Sequence, residues 1–391
     1  MSNSSETPFL VFGAPLIGEE EINEVIETLR SGWLGTGPKT RKFEADFADY
    51  KGVDPENVVA VSSCTSALYL SLHALNLQPD DEVITTPLTF CATINSIIHA
   101  GGKPVLADID PHTNNIDPDA VARAITPRTR AILPVHLYGR PCDMQALRTV
   151  IRNSGHDIAI IEDCAHAIET ICGGEKAGTM GDFGCFSFYP TKNLVTGEGG
   201  MIIGKNKEHV ARARMLSGHG LSRDAWKRFG SSGYSHYSVE EPGFKMNFTD
   251  IQASLGIHQL AKLEKHWIRR AQIWEQYQSG LKGLPITLPE DFVNTAQDRH
   301  AYHLYTVKIG SASGRMRDDI LNELTTRKIG TGVHYQSMCE HKYYQDTYGW
   351  TPESQPHASA AGRETLSMPL SLRMTDADVD RVITAMHDIF R

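Results

Sequence analysis

The chain of 391 residues is 40% hydrophobic and 22% charged, the balance of a soluble globular protein large enough for more than one domain. Its formal net charge of −9 excludes a broad basic face for nucleic acid but leaves room for a local cationic pocket around a phosphorylated ligand. The N-terminus "MSNSSETPFLVFGAPLIGEEE" has no basic n-region, no apolar run is long enough to span a bilayer, and the seven cysteines are scattered without a CxxC pair, so a reduced, cytoplasmic protein with no membrane partner is expected.

In chain order, a helix is expected over about 18–31. From about 55 to 205, apolar runs alternate with helical patterns. The expected strands are "VVAVSS" (58–63), "EVITT" (82–86), "KPVLADI" (103–109), "RAILPVH" (130–136), "DIAIIED" (157–163), "FGCFSFY" (183–189) and "GMIIG" (200–204). Helical stretches such as "TSALYLSLHAL" and "DMQALRTVIRNSG" separate the earlier ones. That alternation implies βαβ crossovers and a mostly parallel sheet covered on both faces. The polar, glycine-bearing segment from about 206 to 245 reads as an excursion carrying loops. A long helix follows over about 249–282, then a strand near 303–309, a helix near 315–328 and a closing helix near 375–390. The expected organisation is a large α/β domain over 1–245 and a smaller C-terminal α+β domain over 246–391.

In open α/β sheets, ligands sit beyond the C-terminal ends of the strands. Three strand ends carry distinctive chemistry. "SSCTSAL" passes from strand to helix, where Thr65 and Ser66 are placed to cradle a phosphate with helix N-terminal amides. "IIEDCAHA" puts Glu162, Asp163 and His166 after a buried run, and an acid is a poor core residue unless paired. "GDFGCFSFYPTKNLVTGEGG" sets Ser187 and Lys192 between an aromatic strand and a glycine turn. Read singly, the first is an N-cap and the third a surface lysine. Together, a phosphate cradle, an acid and a lysine at strand ends are what pyridoxal phosphate (PLP) requires. The lysine forms a Schiff base, the acid keeps the pyridine nitrogen protonated, and the cradle binds the phosphate.

The ordered set of motifs "SGWLGTGPKTRKFEADFADY", "AVSSCTSALYLSLHAL", "DEVITTPLTFCATINSI", "PVHLYGRPCDM", "IIEDCAHAIE", "GDFGCFSFYPTKNLVTGEGG", "PGFKMNFTDIQASLGIHQL" and "IGTGVHY" resembles the DegT/DnrJ/EryC1/StrS family of sugar aminotransferases, of PLP fold type I. The resemblance covers essentially the whole chain. "GHGLSRDAW", "GTGVHY" and "DRVITAMH" are similar to the UDP-4-amino-4-deoxy-L-arabinose aminotransferase subgroup. It implies that Lys192 is the Schiff-base lysine and proton shuttle, and that Asp163 pairs with the pyridine nitrogen. Thr65, Ser66 and Ser187 would bind the phosphate, Phe90 and His166 would lie against the cofactor, and Asn247 would reach the phosphate of the neighbouring subunit of a homodimer. His334 would line the substrate entrance. No metal is implied. Cys64 and Ser66 depart from the Gly and Ala common in that phosphate loop. Relatives that became dehydratases carry His in place of the lysine, which Lys192 argues against.

The activity so implied moves an amino group from an amino acid, by resemblance glutamate, to a keto-sugar. A UDP-4-keto-sugar of cell-surface polysaccharide or lipopolysaccharide synthesis is the first expectation, and a keto-sugar acid such as 8-oxo-3-deoxy-octulosonate the alternative. Lys39, Arg41, Arg223, Lys227 and Arg228 are candidate contacts for an anionic substrate, although each singly reads as solvated charge. Of the rival classes, a nicotinamide dehydrogenase lacks its G-x-G-x-x-G and a zinc hydrolase lacks H-E-x-x-H. A cysteine hydrolase on Cys164 and His166, and a non-catalytic PLP-binding regulator, remain as alternatives.

Overall fold

The computed structural model describes residues 8–222 and 238–391. The strands are β1 (Val58–Val61), β2 (Glu82–Thr85), β3 (Lys103–Leu106), β4 (Thr129–Leu133), β5 (Ala159–Asp163), the small hairpin β6 (Ile171–Cys172) and β7 (Glu175–Lys176), β8 (Phe183–Ser187), β9 (Gly200–Gly204), β10 (Tyr305–Lys308) and β11 (Thr365–Met368). A seven-stranded sheet runs β1-β9-β8-β5-β4-β2-β3. Its pairs from β8 through β5, β4 and β2 to β3 are parallel, and only β9 runs against its neighbours.

The strands are legible because they are buried on both faces. In β1, Val58 and Ala60 join one apolar cluster and Val59 and Val61 the other. Alternate residues therefore face opposite layers, and every residue of the strand is apolar. Because β1 and β8 both pair antiparallel with β9, they point the same way as β5, β4 and β2. The C-terminal ends of β1, β2, β4, β5 and β8 thus share one edge of the sheet, and the candidate residues gather there.

The helix Asp250–Gly280 serves two cores. Ala253, Leu260 and Leu263 pack into a cluster of the large sheet, while Ile273, Trp274 and Tyr277 pack with β10, β11 and the closing helix Asp376–Ile389. The helix Glu19–Ser31 docks on it through buried Glu21, which accepts from Lys262 and Gln259. The first residue of the long helix does a second job. Buried Asp250 accepts from the Gly37 and Thr40 amides at 2.8 and 2.9 Å and from the Thr40 hydroxyl at 2.7 Å. It caps the helix Pro38–Lys51, whose own N-cap is a glycine with no side chain to offer.

One expectation is corrected. The segment after 206 does not begin as a loop: Lys207–Ser217 is a helix capped by Asn206, whose side chain accepts from the Glu208 amide. Val210, Ala213 and Leu216, three residues apart, form its buried stripe, which the many charges around them obscured.

Candidate active site

A cavity of about 530 Å³ opens at the shared strand edge. Thr65, Phe90, Asp163, His166, Ser187, Lys192 and His334 all line it.

The adjacent acids Glu162 and Asp163 are separated by the pleat. Glu162 turns into the core, where its carboxylate accepts from the amides of Gly178, Met180 and Gly181 and pairs with His136 Nε2 at 2.9 Å. Burial alone would raise its pKa, but His136 and these amides hold it below the usual carboxylate range. It is a structural acid. Asp163, one residue on, faces the cavity. It accepts from the Thr93 hydroxyl at 2.9 Å and the Ala165 amide at 3.1 Å, and has no cation in hydrogen-bond reach among the described residues. Burial pushes its pKa up, against the pull of those two bonds and the charge of Lys192.

Lys192 follows β8 by a short turn, is half-buried, and opens to the cavity. Burial lowers its pKa to about 8, against the attraction of Cys64 and Asp163. Its Nζ makes no hydrogen bond or ion pair among the described residues. Such an amine is a ready nucleophile near neutral pH.

Of the residues expected to bind the phosphate, Thr65 and Ser187 line the cavity and Ser66 does not. Ser63 caps the helix Cys64–Ala74 by accepting the Ser66 amide at 3.0 Å, and the Ser66 hydroxyl is bonded to those of Ser62 and Ser63. Ser66 is therefore used up inside the turn and does not line the cavity; Ser63 and Cys64 do, with Thr65. The amides of Cys64 and Thr65, in the first helical turn, have no intrahelical acceptor, and both residues line the cavity, which is suitable for holding an anion. Ser187, at the end of β8, lies on the same cavity wall.

Phe90 is 57% exposed, with its ring 5.9 Å from that of Tyr335. His334 stacks on Phe12 at 5.4 Å, and its Nδ1 lies 2.8 Å from Ser367 Oγ. His166 is buried, with both ring nitrogens engaged by Tyr138 and Tyr335 rather than by Cys164. Cys164 is buried too, and burial with the nearby Glu162 charge drives its thiol pKa well up, so a Cys164–His166 nucleophile is ruled out. Asn247 is not in this cavity. It lines a second one of about 500 Å³ with Thr36 and Arg41, and its Nδ2 donates to the Thr36 hydroxyl at 2.8 Å. Lys39 is paired with Glu24, while Arg223, Lys227 and Arg228 lie outside the described residues.

Sequence reasoning passed over Thr93, His303 and Tyr335, which also line the cavity. Thr93 had a signal, since Thr89 and Thr93 are four residues apart, and Tyr335 closes the motif "IGTGVHY" beside His334, but His303 sits in a segment with no local mark of function.

The cavity fits PLP on its own evidence. Asp163 is a buried carboxylate that lacks a cation, and a protonated ring nitrogen is one. Unclaimed first-turn amides suit a phosphate, and a lysine amine whose pKa burial lowers to about 8 suits an aldehyde. These features define the class, a PLP enzyme of fold type I. Residues 15–387 match the DegT/DnrJ/EryC1/StrS aminotransferase family, and the chain belongs to it.

The chain is 46% identical to a spore coat polysaccharide biosynthesis protein of Bacillus subtilis, over 98% of this chain and 97% of that one. A putative sugar aminotransferase of Streptococcus pneumoniae, solved in PMP and PLP forms, superposes with a TM-score of 0.89 at 32% identity, over 98% of each chain. DesV of S. venezuelae, solved with a ketimine intermediate, superposes with a TM-score of 0.85 at 34% identity, over 98% of this chain and 99% of that one. The protein is thus a PLP-dependent transaminase of the sugar aminotransferase family. Among the described residues no helix is long and apolar enough to cross a membrane.

Proposed function

We propose that this transaminase moves an amino group from glutamate to a UDP-linked 4-keto-sugar destined for a cell-surface polysaccharide, with Lys192 as its reacting amine. The observation that carries the assignment of Lys192 is its Nζ, unpaired among the described residues and with its pKa lowered to about 8, at the wall of the cavity that Asp163 also lines. The polysaccharide destination is supported by the name of the Bacillus relative.

In this reading Asp163 holds the ring nitrogen, and Ser63, Thr65, Ser187 and the amides of Cys64 and Thr65 hold the phosphate. Phe90 and His166 confine the ring, and His334 meets the substrate. The group they hold supplies an electron sink for the pair left when a substrate carbon loses its proton. Asp163 keeps that sink charged. Lys192 Nζ, once free, takes the proton from the donor's Cα and gives one back to the cofactor carbon, in the reverse order for the sugar. Phe12, Phe90 and Tyr335 add an aromatic wall to the cavity that holds that amine. Asn247 lies outside its own chain's cavity, which supports its serving the phosphate of a second copy in a homodimer.

The test is two half-turnovers read by absorbance. Glutamate converts the loaded protein to its amine form, and UDP-4-keto-sugars restore the aldehyde form. Lys192→Ala slows both by about 10⁴-fold. Restoration by a nucleotide-free keto-sugar acid, and not by UDP-4-keto-sugars, would overturn the acceptor. Normal rates in Lys192→Ala would overturn the lysine.

A further inference from the structure

The two buried imidazoles of the cavity can be assigned proton by proton. Asn193 follows Lys192 directly and is buried. Its Nδ2 donates to Glu169 Oε2 at 2.8 Å and to the Ala301 carbonyl at 3.1 Å. A carbonyl only accepts, so the amide nitrogen lies on that side and Oδ1 on the other. Oδ1 sits 2.9 Å from His303 Nδ1, and an amide oxygen only accepts, so Nδ1 carries the proton. Glu169 is anchored in turn by Arg270, both side chains being buried.

The groups facing His303 are His166, Lys192, Asn193, Arg270, His300 and His334. Burial is the first cause that holds its pKa well below the usual imidazole value, and any positive charge on Lys192, His334, Arg270 or His300 lowers it further. With Nδ1 protonated, Nε2 is a bare lone pair. His166 is the reverse. Its Nδ1 accepts the Tyr138 amide at 3.2 Å, so Nε2 holds the proton, 3.2 Å from Tyr335 Oη. The two rings lie 4.3 Å apart, centroid to centroid, in opposite tautomers.

His303 lines the main cavity and a smaller one behind it, and Lys192 lines both. A free lysine amine has two N–H groups and one lone pair, and nothing among the described residues fixes its rotation. We infer that His303 is a positioning residue for Lys192: its Nε2 accepts one N–H of the uncharged amine and so turns the amine lone pair toward the substrate carbon. The chain Arg270–Glu169–Asn193 holds the acceptor in that tautomer. Since Asn193 is the next residue, amine and acceptor are tied to one stretch of backbone. The inference rests on Lys192 being the reacting amine.

The test uses the cofactor-loaded enzyme labelled with ¹⁵N-histidine. His303 is expected to show a protonated Nδ1 and a bare Nε2 across about pH 6 to 9, and His166 the opposite. His303→Asn keeps a donor toward Asn193 but loses the cavity-facing acceptor. Its turnover falls about 10²-fold while KM stays within about 3-fold. His303→Gln, which restores a cavity-facing group, recovers at least about 10-fold of that loss. A protonated Nε2 on His303, wild-type turnover in His303→Asn, or no gain in His303→Gln would overturn the inference. An error in the Lys192 assignment would appear separately, as cofactor bound to another residue with the tautomers unchanged.

Discussion

At the residue scale, the decisive contrast is between two neighbours on one strand. Glu162 and Asp163 are indistinguishable by composition, yet the pleat sends one into four hydrogen bonds and the other to the cavity wall with two. Lys192 has a measurable signature of the same burial. Its pKa is about 8 in the folded protein against 10.5 for an ordinary lysine. In the cofactor-free protein, the unfolded chain holds the extra proton between those values and the folded chain does not, so stability rises with pH through that window. Buried Lys51, also held at about 8, adds to the same rise. The stability of wild type minus that of Lys192→Met should therefore grow in favour of wild type from about pH 8 to 10.5 in denaturant titrations of the cofactor-free proteins. A flat or falling difference would contradict the burial of this amine.

At the element scale, the site depends on how closely two backbones meet. Gly200 opens β9 against the turn that carries the cradle. A Cβ there would lie 2.5 Å from the Ser63 carbonyl and 2.7 Å from the Cys64 nitrogen. Both are main-chain atoms that cannot rotate away, so Gly200→Ala must shift the helix N-terminus. We expect a loss of about 1–3 kcal/mol of stability and at least a 10-fold weaker hold on the cofactor. Equilibrium denaturation and cofactor release on dilution would read the two, and unchanged release would argue against a cradle at Ser63–Thr65.

The same scale explains what was legible. Several strands of the large sheet were readable because double burial makes them largely apolar, and the strand-end rule pointed to Asp163, Ser187 and Lys192, which line the cavity. The helix Pro38–Lys51 was not, because its cap is Asp250, 213 positions after Gly37. Ser66 was placed in the cradle by its position, but the capping bond of Ser63 was invisible in sequence. His303 lies in "AYHLYTVKI", which reads only as a strand. Its meaning comes from Asn193, and that contact exists only in three dimensions.

At the scale of the whole molecule, two other lysines with lowered pKa values, Lys51 and Lys308, compete for the role given to Lys192. Lys51 is as strongly perturbed and more deeply buried, but its Nζ donates to the Ile168 and Ala177 carbonyls at 2.8 Å and lies over the Phe186 ring. It is a structural cation with no cavity beside it among those described. Only the lysine that shares a cavity with Asp163 and the cradle can carry the cofactor and reach a substrate. Borohydride reduction of the loaded enzyme, followed by peptide mapping by mass spectrometry, tests this most directly. The added cofactor mass should fall on Lys192 alone; its appearance on Lys51 or any other lysine, with Lys192 unmodified, would contradict the account.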